Sequence, residues 1–296
     1  MMHNGANVLE LAKSFLYKNG RLLDRRRFEY HFEGGSKQAV LDVLRAYQNA
    51  DGGFGNALEP DIRCPQSQPV PTEMALHIMD EIGAFDPEIM EGILRYLSEI
   101  TLPDGGFPLV FRSALEYPHA PWWMVERDDV PSINPTGTII GLLYKQKANV
   151  AVFQEDWFKR CVDYLWRYME EARPDGYHDG IQWVEFLRHT PDQSRASHHF
   201  AVVDEWLQKP GTIERDPNAQ GYVQKVLDWA PARGSYSGKF VTTDELNVHL
   251  NAILDQQQED GGWMISWPAV GAGAESEWRG WLTVERLKTL RSYEKL

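Results

Sequence analysis

The sequence predicts an all-α protein, and more specifically an α/α toroid: a double ring of about a dozen antiparallel helices. Three observations predict this fold. Apolar residues recur with helical spacing along most of the chain, no run of period-two alternation is long enough for a sheet, and one Gly-Gly-aromatic turn occurs three times. No segment with the composition of a linker divides the 296 residues, so we expect one domain spanning residues 1–296.

The repeated turn follows an amphipathic segment and leads through a loop into a second apolar segment. Its copies read Asp51-Gly52-Gly53-Phe54, Asp104-Gly105-Gly106-Phe107 and Asp260-Gly261-Gly262-Trp263. Glycine adopts φ > 0 without the strain of a Cβ, so each doublet is expected to stop a helix. We expect the aspartate to accept hydrogen bonds from amides of the turn and the aromatic ring to fill the gap between neighbouring helices.

The predicted helices follow from apolar spacing and from their start signals. Ser36 and Thr243 are candidate N-caps, and Asn134-Pro135 reads as an N-cap followed by proline at the first helical position. The apolar residues of 135–143 surround the helix, as in a helix wrapped by others. In chain order, the expected helices are 4–17, 22–32, 36–47, 71–79, 86–100, 134–143, 157–168, 181–188, 194–208, 219–229, 243–254 and 278–290.

The charge balance restricts the classes of partner. Thirty Lys and Arg against 43 Asp and Glu give a net charge of −13, which argues against nucleic acid because phosphate neutralisation needs a basic face. The one basic cluster, Arg25-Arg26-Arg27, is expected on a solvated helix face. Two separate cysteines, Cys64 and Cys161, predict free thiols, and we expect neither a metal nor a cofactor.

The sequence also bears on location. No stretch approaches the roughly 18 consecutive apolar residues of a membrane span. The opening Met1-Met2-His3-Asn4 lacks the cationic start and apolar run of a secretory signal. We therefore expect a soluble, cytoplasmic protein, whose oligomeric state the sequence leaves open.

The segments 48–54 and 256–263 resemble the repeat of squalene cyclases and protein prenyltransferase β subunits, in which a Gln-led helix end runs into Asp-Gly-Gly-aromatic. The resemblance implies the α/α toroid of the terpenoid cyclase superfamily, with an aromatic-lined cavity that binds isoprenoid chains. The acids of the cyclase D-x-D-D-T motif are replaced in Ser132-Ile133-Asn134-Pro135-Thr136. The Asp-x-Cys zinc ligands of the prenyltransferases are not matched either, since Asp61 and Cys64 are three residues apart.

Acidic residues in two loops are the candidates for catalysis. The loop 55–65 contains Glu59 and Asp61 beside Arg63, and loops at this end of a toroid open onto its cavity. Asp129 lies just upstream of the replaced cyclase motif. We predict that Glu59, Asp61 and Asp129 act as general acids or bases; in the alternative interpretation, the carboxylates of the 55–65 loop cap helix N-termini and pair with Arg63.

Aromatic residues and a few polar ones are the candidates for ligand binding. Adjacent Trp122 and Trp123 point to opposite sides of an extended segment, so one of them is expected to face a ligand or partner. The alternative is that this loop is a lid that plugs the barrel. The predicted ligand-binding residues are Phe54, Glu73, Trp122, Trp123, Asn134, Trp263, Trp267 and Trp278.

Three functions remain open from the sequence. The first is a prenyltransferase-like or squalene cyclase-like protein that either only binds or also transforms an isoprenoid or other hydrophobic ligand. The second is a non-catalytic binding protein on the same toroid, which the replaced motifs favour. The third is a carbohydrate-active (α/α)6-barrel hydrolase or lyase, since glycosidases use two carboxyl groups. A polar, acid-lined groove would favour the third function.

Overall fold

The computed structural model describes residues 5–296, and these residues form helices, turns and isolated bridges but no β-strand. The all-α prediction is confirmed. The helices are α1 (Gly5–Asn19), α2 (Leu22–Phe32), α3 (Lys37–Leu44), α4 (Pro69–Ile82), α5 (Pro87–Ile100), α6 (Ile133–Gln146), α7 (Asp156–Glu171), α8 (Tyr177–His189), α9 (Gln193–Leu207), α10 (Val226–Trp229), α11 (Thr243–Asp255) and α12 (Ala272–Ser292). The predicted helix start at Asn4 and the signal-free opening Met1-Met2-His3-Asn4 lie outside the described residues.

Most predicted helices occur, with shifted ends. Ser36 caps α3, because its Oγ accepts a hydrogen bond from the Ala39 amide at 3.1 Å. Thr242, one residue before the predicted cap, is the N-cap of α11 and forms a capping box with Glu245. The helix predicted over 219–229 is wrong apart from Val226–Trp229, since Gly221 has a φ of +86° and the preceding segment is a loop. None of the helices of residues 5–296 is both long and apolar enough to cross a membrane.

The chain divides into two compact units, residues 5–43 with 207–296 and residues 44–206. In the first unit, α1 packs against α12 and α2, and α12 also packs against α2. In the second unit, α6 makes its most extensive contact with α8 and also packs against α4 and α7. The single domain and the closed double ring remain predictions.

The first glycine of each doublet lies directly on the backbone of another helix of its unit. All three glycines have φ between +88° and +95°, so the expected left-handed turn is confirmed. A Cβ on any of them would meet a helix carbonyl oxygen at 2.0 or 2.1 Å, a separation no side chain tolerates. The contacting pairs are Gly52 with Gly92 in α5, Gly105 with Arg160 in α7, and Gly261 with Leu11 in α1. Each of the three turns therefore contacts a helix backbone in the same way, through the first glycine of its doublet.

The second glycine of each doublet faces an aromatic ring one helical turn further along the same helix. A Cβ there would lie 2.8 Å from the ring. The pairs are Gly53 with Tyr96, Gly106 with Tyr164 and Gly262 with Phe15. The two glycines and the i, i+4 pair on the helix thus form one repeated packing unit.

Side chains of the turn fix it further in the first and third copies. Gln48 Nε2 donates to the carbonyl of Gly52 at 2.9 Å and to that of Ile89 in α5 at 3.1 Å. Gln257 repeats the arrangement with Gly261 at 2.9 Å and Val8 in α1 at 3.0 Å. The expected aspartate bonds also occur, since Asp51 and Asp260 each accept from the second glycine's amide at 3.0 Å.

The aromatic residue after each doublet lies in the core, as predicted. Phe54 and Phe107 are fully buried and Trp263 nearly so. The Phe54 amide donates to Thr72 Oγ1 at 3.1 Å, and the Phe107 amide donates to Thr136 Oγ1 at 2.9 Å. These bonds tie the turns to the first turns of α4 and α6 and so position the side chains that follow on those helices.

The prediction of a fully solvated basic face on α2 is wrong for Arg27. Its side chain is completely buried in the first unit and forms ion pairs with Asp24 and Glu285. The guanidinium also lies 3.8 Å from the centroid of the Trp281 ring. A charge with two carboxylates and a ring face as partners can be buried, because these contacts replace its hydration. Cys64 and Cys161 are buried free thiols, as expected.

Candidate functional site

Polar side chains from three packed helices of the second unit meet in one cluster. On each helix the contributing residues are three or four positions apart, or a multiple of that spacing, and therefore share a face. The α4–α6–α8 cluster consists of Glu73, His77 and Asp80 on α4, Asn134, Thr138 and Lys145 on α6, and Gln182, Glu185 and His189 on α8.

Gln182 connects the three helices. Its Nε2 donates to Glu73 Oε1 on α4 at 2.9 Å and to Asn134 Oδ1 on α6 at 3.2 Å. Its Oε1 accepts from the backbone amide of Thr138 at 2.6 Å. Gln182 is buried, so all its bonds form in a low-dielectric environment where they fix geometry well. The amide of one glutamine thus sets the positions of Glu73 and Asn134.

Two glycines on α6 allow the backbone of α8 to pack closely against α6. A Cβ on Gly137 would lie 2.6 Å from the carbonyl oxygen of Gln182, and one on Gly141 would lie 2.6 Å from the carbonyl oxygen of Glu185. Any other residue at either position would push α8 away. The glycines therefore place the polar face of α8 against the other two helices.

Burial determines the protonation of Glu73. Loss of hydration raises the pKa of its carboxyl group above the ordinary 4.5, and the negative charge of Glu185 adds to the rise. The charge of His77, whose Nε2 lies 4.0 Å from Glu73 Oε1, and the hydrogen bond from Gln182 oppose it without cancelling it. Glu73 is therefore the carboxyl group of the cluster best suited to hold a proton.

Glu185 has the opposite shift. Burial alone would raise its pKa, but the neighbouring cations reverse the effect and lower it below 4.5. His189 Nε2 lies 3.1 Å from Glu185 Oε1, and His77 and Lys145 add positive charge. Lys145 itself is held by Asp80 at 2.6 Å. Glu185 is thus ionised under conditions in which Glu73 retains its proton more readily.

The cluster runs from the interior to the surface. The Glu73 side chain is 12% exposed and that of Glu185 17%, whereas His77 is 45% exposed. Both carboxyl groups are therefore mostly buried, whereas His77, 4.0 Å from Glu73, is accessible to solvent. Within residues 5–296, no group of three or more His, Cys, Asp and Glu side chains is arranged to hold a metal ion.

Glu59 and Asp61 are buried in the 55–65 loop of the second unit. The Asp61 carbonyl accepts from the Ala120 amide at 3.0 Å, and the Arg63 amide donates to the Pro118 carbonyl at 3.0 Å. The loop is thereby anchored to the 117–120 segment. The catalytic role of Glu59 and Asp61 remains a prediction.

Asp129 lies in an exposed part of the second unit. Arg127 binds it in a bidentate pair, with nitrogen–oxygen distances of 2.7 and 2.6 Å. This contact lowers the pKa of the Asp129 carboxyl group, so the group is better suited to carry a charge than to donate a proton. Its predicted use as an acid has no support in this arrangement.

The eight predicted ligand-binding residues lie in different environments. Glu73 and Asn134 belong to the α4–α6–α8 cluster, and both bond to Gln182. Phe54 and Trp263 are core residues of their units; the Trp263 Nε1 donates to the Ile253 carbonyl at 2.8 Å, which favours a structural role.

Trp122 and Trp123 of the 117–129 segment differ in exposure, but the backbone is not the extended one that the sequence predicts. Pro121–Trp123 is a 3-10 turn and not an extended segment. Trp123 packs on a buried apolar cluster that includes Ile62 and Val110, whereas Trp122 is 45% exposed. Trp122 is accordingly the member of the pair that is open to a ligand or partner.

Trp267 and Trp278 meet in the first unit. Their rings are 5.3 Å apart and nearly perpendicular, and Tyr222 contacts Trp267 edge-on at 6.0 Å. Both tryptophans are half-buried and Tyr222 is exposed. This aromatic cluster of Tyr222, Trp267 and Trp278 is a second candidate surface, separate in the chain from the polar one.

Glu73 and Asn134 are the two members of the polar cluster that were predicted from the sequence; the other seven, including Gln182, Glu185 and His189 on α8, were not. A signal for them exists: α8 carries polar residues at 182, 185 and 189, one face of a helix whose other side is apolar. The same spacing occurs at 73, 77 and 80 on α4. Polar faces on helices expected to be surrounded by others point to a site, because such faces are costly to bury.

No protein-family model matches the chain, and no curated protein matches it. A solved structure of a protein from Actinoplanes is similar, with a TM-score of 0.60 and 15% sequence identity. The similarity covers 98% of this chain and 100% of the Actinoplanes chain. At this level of identity it shows a shared fold alone.

Proposed function

We propose that the protein is an acid–base enzyme in which Glu73 donates a proton and Glu185 accepts one. The observation that carries the proposal is the placement of two carboxyl groups in one polar cluster with different partners: Glu73 accepts from Gln182 at 2.9 Å, and Glu185 lies 3.1 Å from His189. These surroundings raise the pKa of Glu73 and lower that of Glu185. Enzymes that use two carboxyl groups in different roles separate their pKa values by just such differences in environment.

A polar, hydroxyl-rich substrate such as a saccharide fits this cluster better than an isoprenoid. The three helices present carboxyl groups and imidazoles, among them the 45% exposed His77, and such polar groups suit hydroxyl groups rather than hydrocarbon. The carbohydrate-active alternative from the sequence is therefore the function that the geometry favours.

In the proposed hydrolysis, Glu73 gives its proton to the glycosidic oxygen as the bond from that oxygen to the sugar carbon breaks. Glu185 takes a proton from water, whose oxygen forms the new bond to the carbon. The sum of the two steps is the addition of one water molecule. His77 and His189 stabilise the charge on Glu185, and Gln182 holds the Glu73 carboxyl group in place.

The test is hydrolysis of a panel of chromogenic glycosides and polysaccharides by the wild type and by Glu73→Gln, Glu185→Gln and Glu91→Gln. Glu91 is an exposed residue of α5 and serves as the control. We expect activity on at least one substrate, a loss of at least about 100-fold in kcat for the first two variants, and no change for the third. Activity that survives both substitutions, or none on any substrate, would contradict the proposal.

A second candidate is the binding of an isoprenoid or similar hydrophobic ligand at the aromatic cluster of the first unit. The specific observation is the perpendicular Trp267–Trp278 pair, which is half-buried and joined by exposed Tyr222. The resemblance to squalene cyclases and prenyltransferases supports the same ligand class. This candidate requires no catalysis and corresponds to a binding protein.

Titration of tryptophan fluorescence with a farnesyl alcohol tests this candidate. Binding should disappear in Trp267→Ala and persist in Trp122→Ala, which removes an exposed tryptophan from the other unit. Equal loss in both variants would indicate non-specific adsorption and would refute the binding site.

A further inference from the structure

A cationic pocket lies between α7 and α9 in the second unit, away from the residues of the α4–α6–α8 cluster. Its volume is about 330 Å³, at the lower end of the range for small-molecule sites. Arg173, Arg195, His198 and His199 line it together with a single carboxylate, Glu170. Two guanidinium groups against one carboxylate make this wall basic in a protein of net charge −13, and the two imidazoles add hydrogen-bonding groups.

The arginine at the centre of the pocket is held in place. Arg195 forms an ion pair with Glu170 across the two helices, and its guanidinium lies 4.6 Å from the centroid of the Trp166 ring. Stacking on a ring leaves the edge of the guanidinium available, and that edge matches the oxygens of an oxyanion. Glu170 is 53% exposed and can be displaced by a competing anion without becoming buried.

One histidine of the pocket, His199, is buried. His199 is only 4% exposed, between the rings of Trp166 and Trp183, and its Nδ1 has no hydrogen-bond partner in the protein. Burial, followed by the charges of His198, Arg195 and Arg173, lowers its pKa, whereas Glu170 raises it. A buried polar atom without a partner is costly and rare, and here it belongs to a residue of the pocket wall.

We propose that the pocket between α7 and α9 binds a small phosphate-type oxyanion, through the guanidinium groups of Arg195 and Arg173 and the imidazoles of His198 and His199. The anion replaces Glu170 as the partner of Arg195 and lies against the side of the pocket that His199 lines. Arginine favours this class of ligand because its planar N–H groups bind two oxygens at once. The pocket is independent of the proposed glycosidic chemistry.

The experiment is calorimetric titration of the full chain with inorganic phosphate at low ionic strength and pH 7, accompanied by NMR of the histidine rings. We expect binding that shifts the His199 signals. Arg195→Ala should weaken it at least about tenfold, because it removes a charge-assisted bidentate contact. Glu170→Gln should strengthen it, since the competing carboxylate is lost.

Arg233→Ala is the matched control, since Arg233 also forms an exposed ion pair with a glutamate, Glu294, but lies in the other unit. It should leave phosphate affinity unchanged within twofold. Equal weakening by Arg195→Ala and Arg233→Ala would show a general charge effect and overturn the proposal, as would weaker binding by Glu170→Gln.

Vesicles that contain phosphatidic acid distinguish the source of the phosphate group. We expect the protein to bind free phosphate and not to sediment with these vesicles, because His199 lies at the buried side of the pocket. Sedimentation with the vesicles in the absence of any binding of free phosphate would overturn the proposal of a small-anion site.

Discussion

At the scale of single residues, the chemistry of the polar cluster depends on partners that are far apart in sequence. Glu73 receives its hydrogen bond from Gln182, 109 residues later, and its pKa responds to Glu185 and His77. Glutamate at position 73 and asparagine at position 134 can be singled out from the sequence because they lie at helix starts. Their protonation cannot, since burial and neighbouring charges arise only when α4, α6 and α8 pack.

Replacement of Glu73 by glutamine should change how stability depends on pH. An acid with a raised folded-state pKa destabilises the folded protein as pH rises from the unfolded value, near 4.5, through the folded value. The glutamine side chain does not titrate in this pH range. The unfolding free energy of Glu73→Gln relative to the wild type should therefore increase across that window, by about 1.4 kcal/mol per unit of pKa difference. Urea unfolding between pH 4 and pH 8 measures it.

Glu185→Gln is the control, because its unfolding free energy relative to the wild type should change with pH in the opposite direction. Its folded-state pKa is lowered, so its contribution to the stability of the wild type is fully present above pH 4.5 and is lost as pH falls from 4.5 through the folded value. The variant should therefore lose stability relative to the wild type as pH rises towards 4.5. The same direction of change in both variants would contradict the assigned pKa shifts.

At the scale of elements, the expectation that the glycine doublets stop helices is wrong: α3, α5 and α11 end at Leu44, Ile100 and Asp255, several residues before the doublets, which instead pack on other helices. The sequence predicts the positive φ and the buried aromatic ring, because both follow from local chemistry. It does not predict that the glycines rest on α1, α5 and α7, since those contacts join distant segments. Nor does local patterning account for the loop over 219–225, where apolar spacing suggests a helix but Gly221 turns the chain.

The destabilisation caused by the close contact at Gly261 can be measured separately from that caused by backbone strain. Gly261→Ala places a Cβ 2.1 Å from the Leu11 carbonyl oxygen at a φ of +95°. Gly34→Ala, in the same unit, has a comparable φ of +71° and nothing within 4 Å. We expect about 1–2 kcal/mol of destabilisation for Gly34→Ala from strain and at least about 2 kcal/mol more for Gly261→Ala. Equal thermal shifts in the two variants would show that the contact with α1 has no effect.

The approach of α8 to α6 is open to a similar test. Gly141→Ala should destabilise the protein by about 1–3 kcal/mol, because the new methyl group would lie 2.6 Å from the Glu185 carbonyl oxygen. Gly273→Ala, at an open position of α12, should leave the stability unchanged or slightly higher. Guanidinium unfolding compares the two; a neutral Gly141→Ala would mean that α8 does not need this contact.

At the scale of the whole molecule, one turn design appears in both compact units. Gly52 and Gly105 belong to residues 44–206, and Gly261 belongs to the unit that includes the C-terminal residues. The fold class is predictable from the sequence because the helical spacing of apolar residues can be recognised within each short segment. The closed ring remains a prediction, since it depends on interactions that no single segment encodes.

Each of the two candidate surfaces lies within one of the two compact units. The polar cluster is formed within the second unit and the aromatic cluster within the first, so each proposal can be tested by variants confined to one unit. The acidic net charge of −13 suits neutral or cationic ligands, and the pocket between α7 and α9 is the local exception to it.

The most direct test of the acid–base proposal is a carbon-13 NMR titration of the glutamate side-chain carboxyl groups in the full-length protein. Signals are assigned with Glu73→Gln and Glu185→Gln. We predict that Glu73 titrates above pH 4.5 and Glu185 below it. Two carboxyl groups that titrate together near 4.5, or in the reverse order, would contradict the assignment of one as proton donor and the other as proton acceptor.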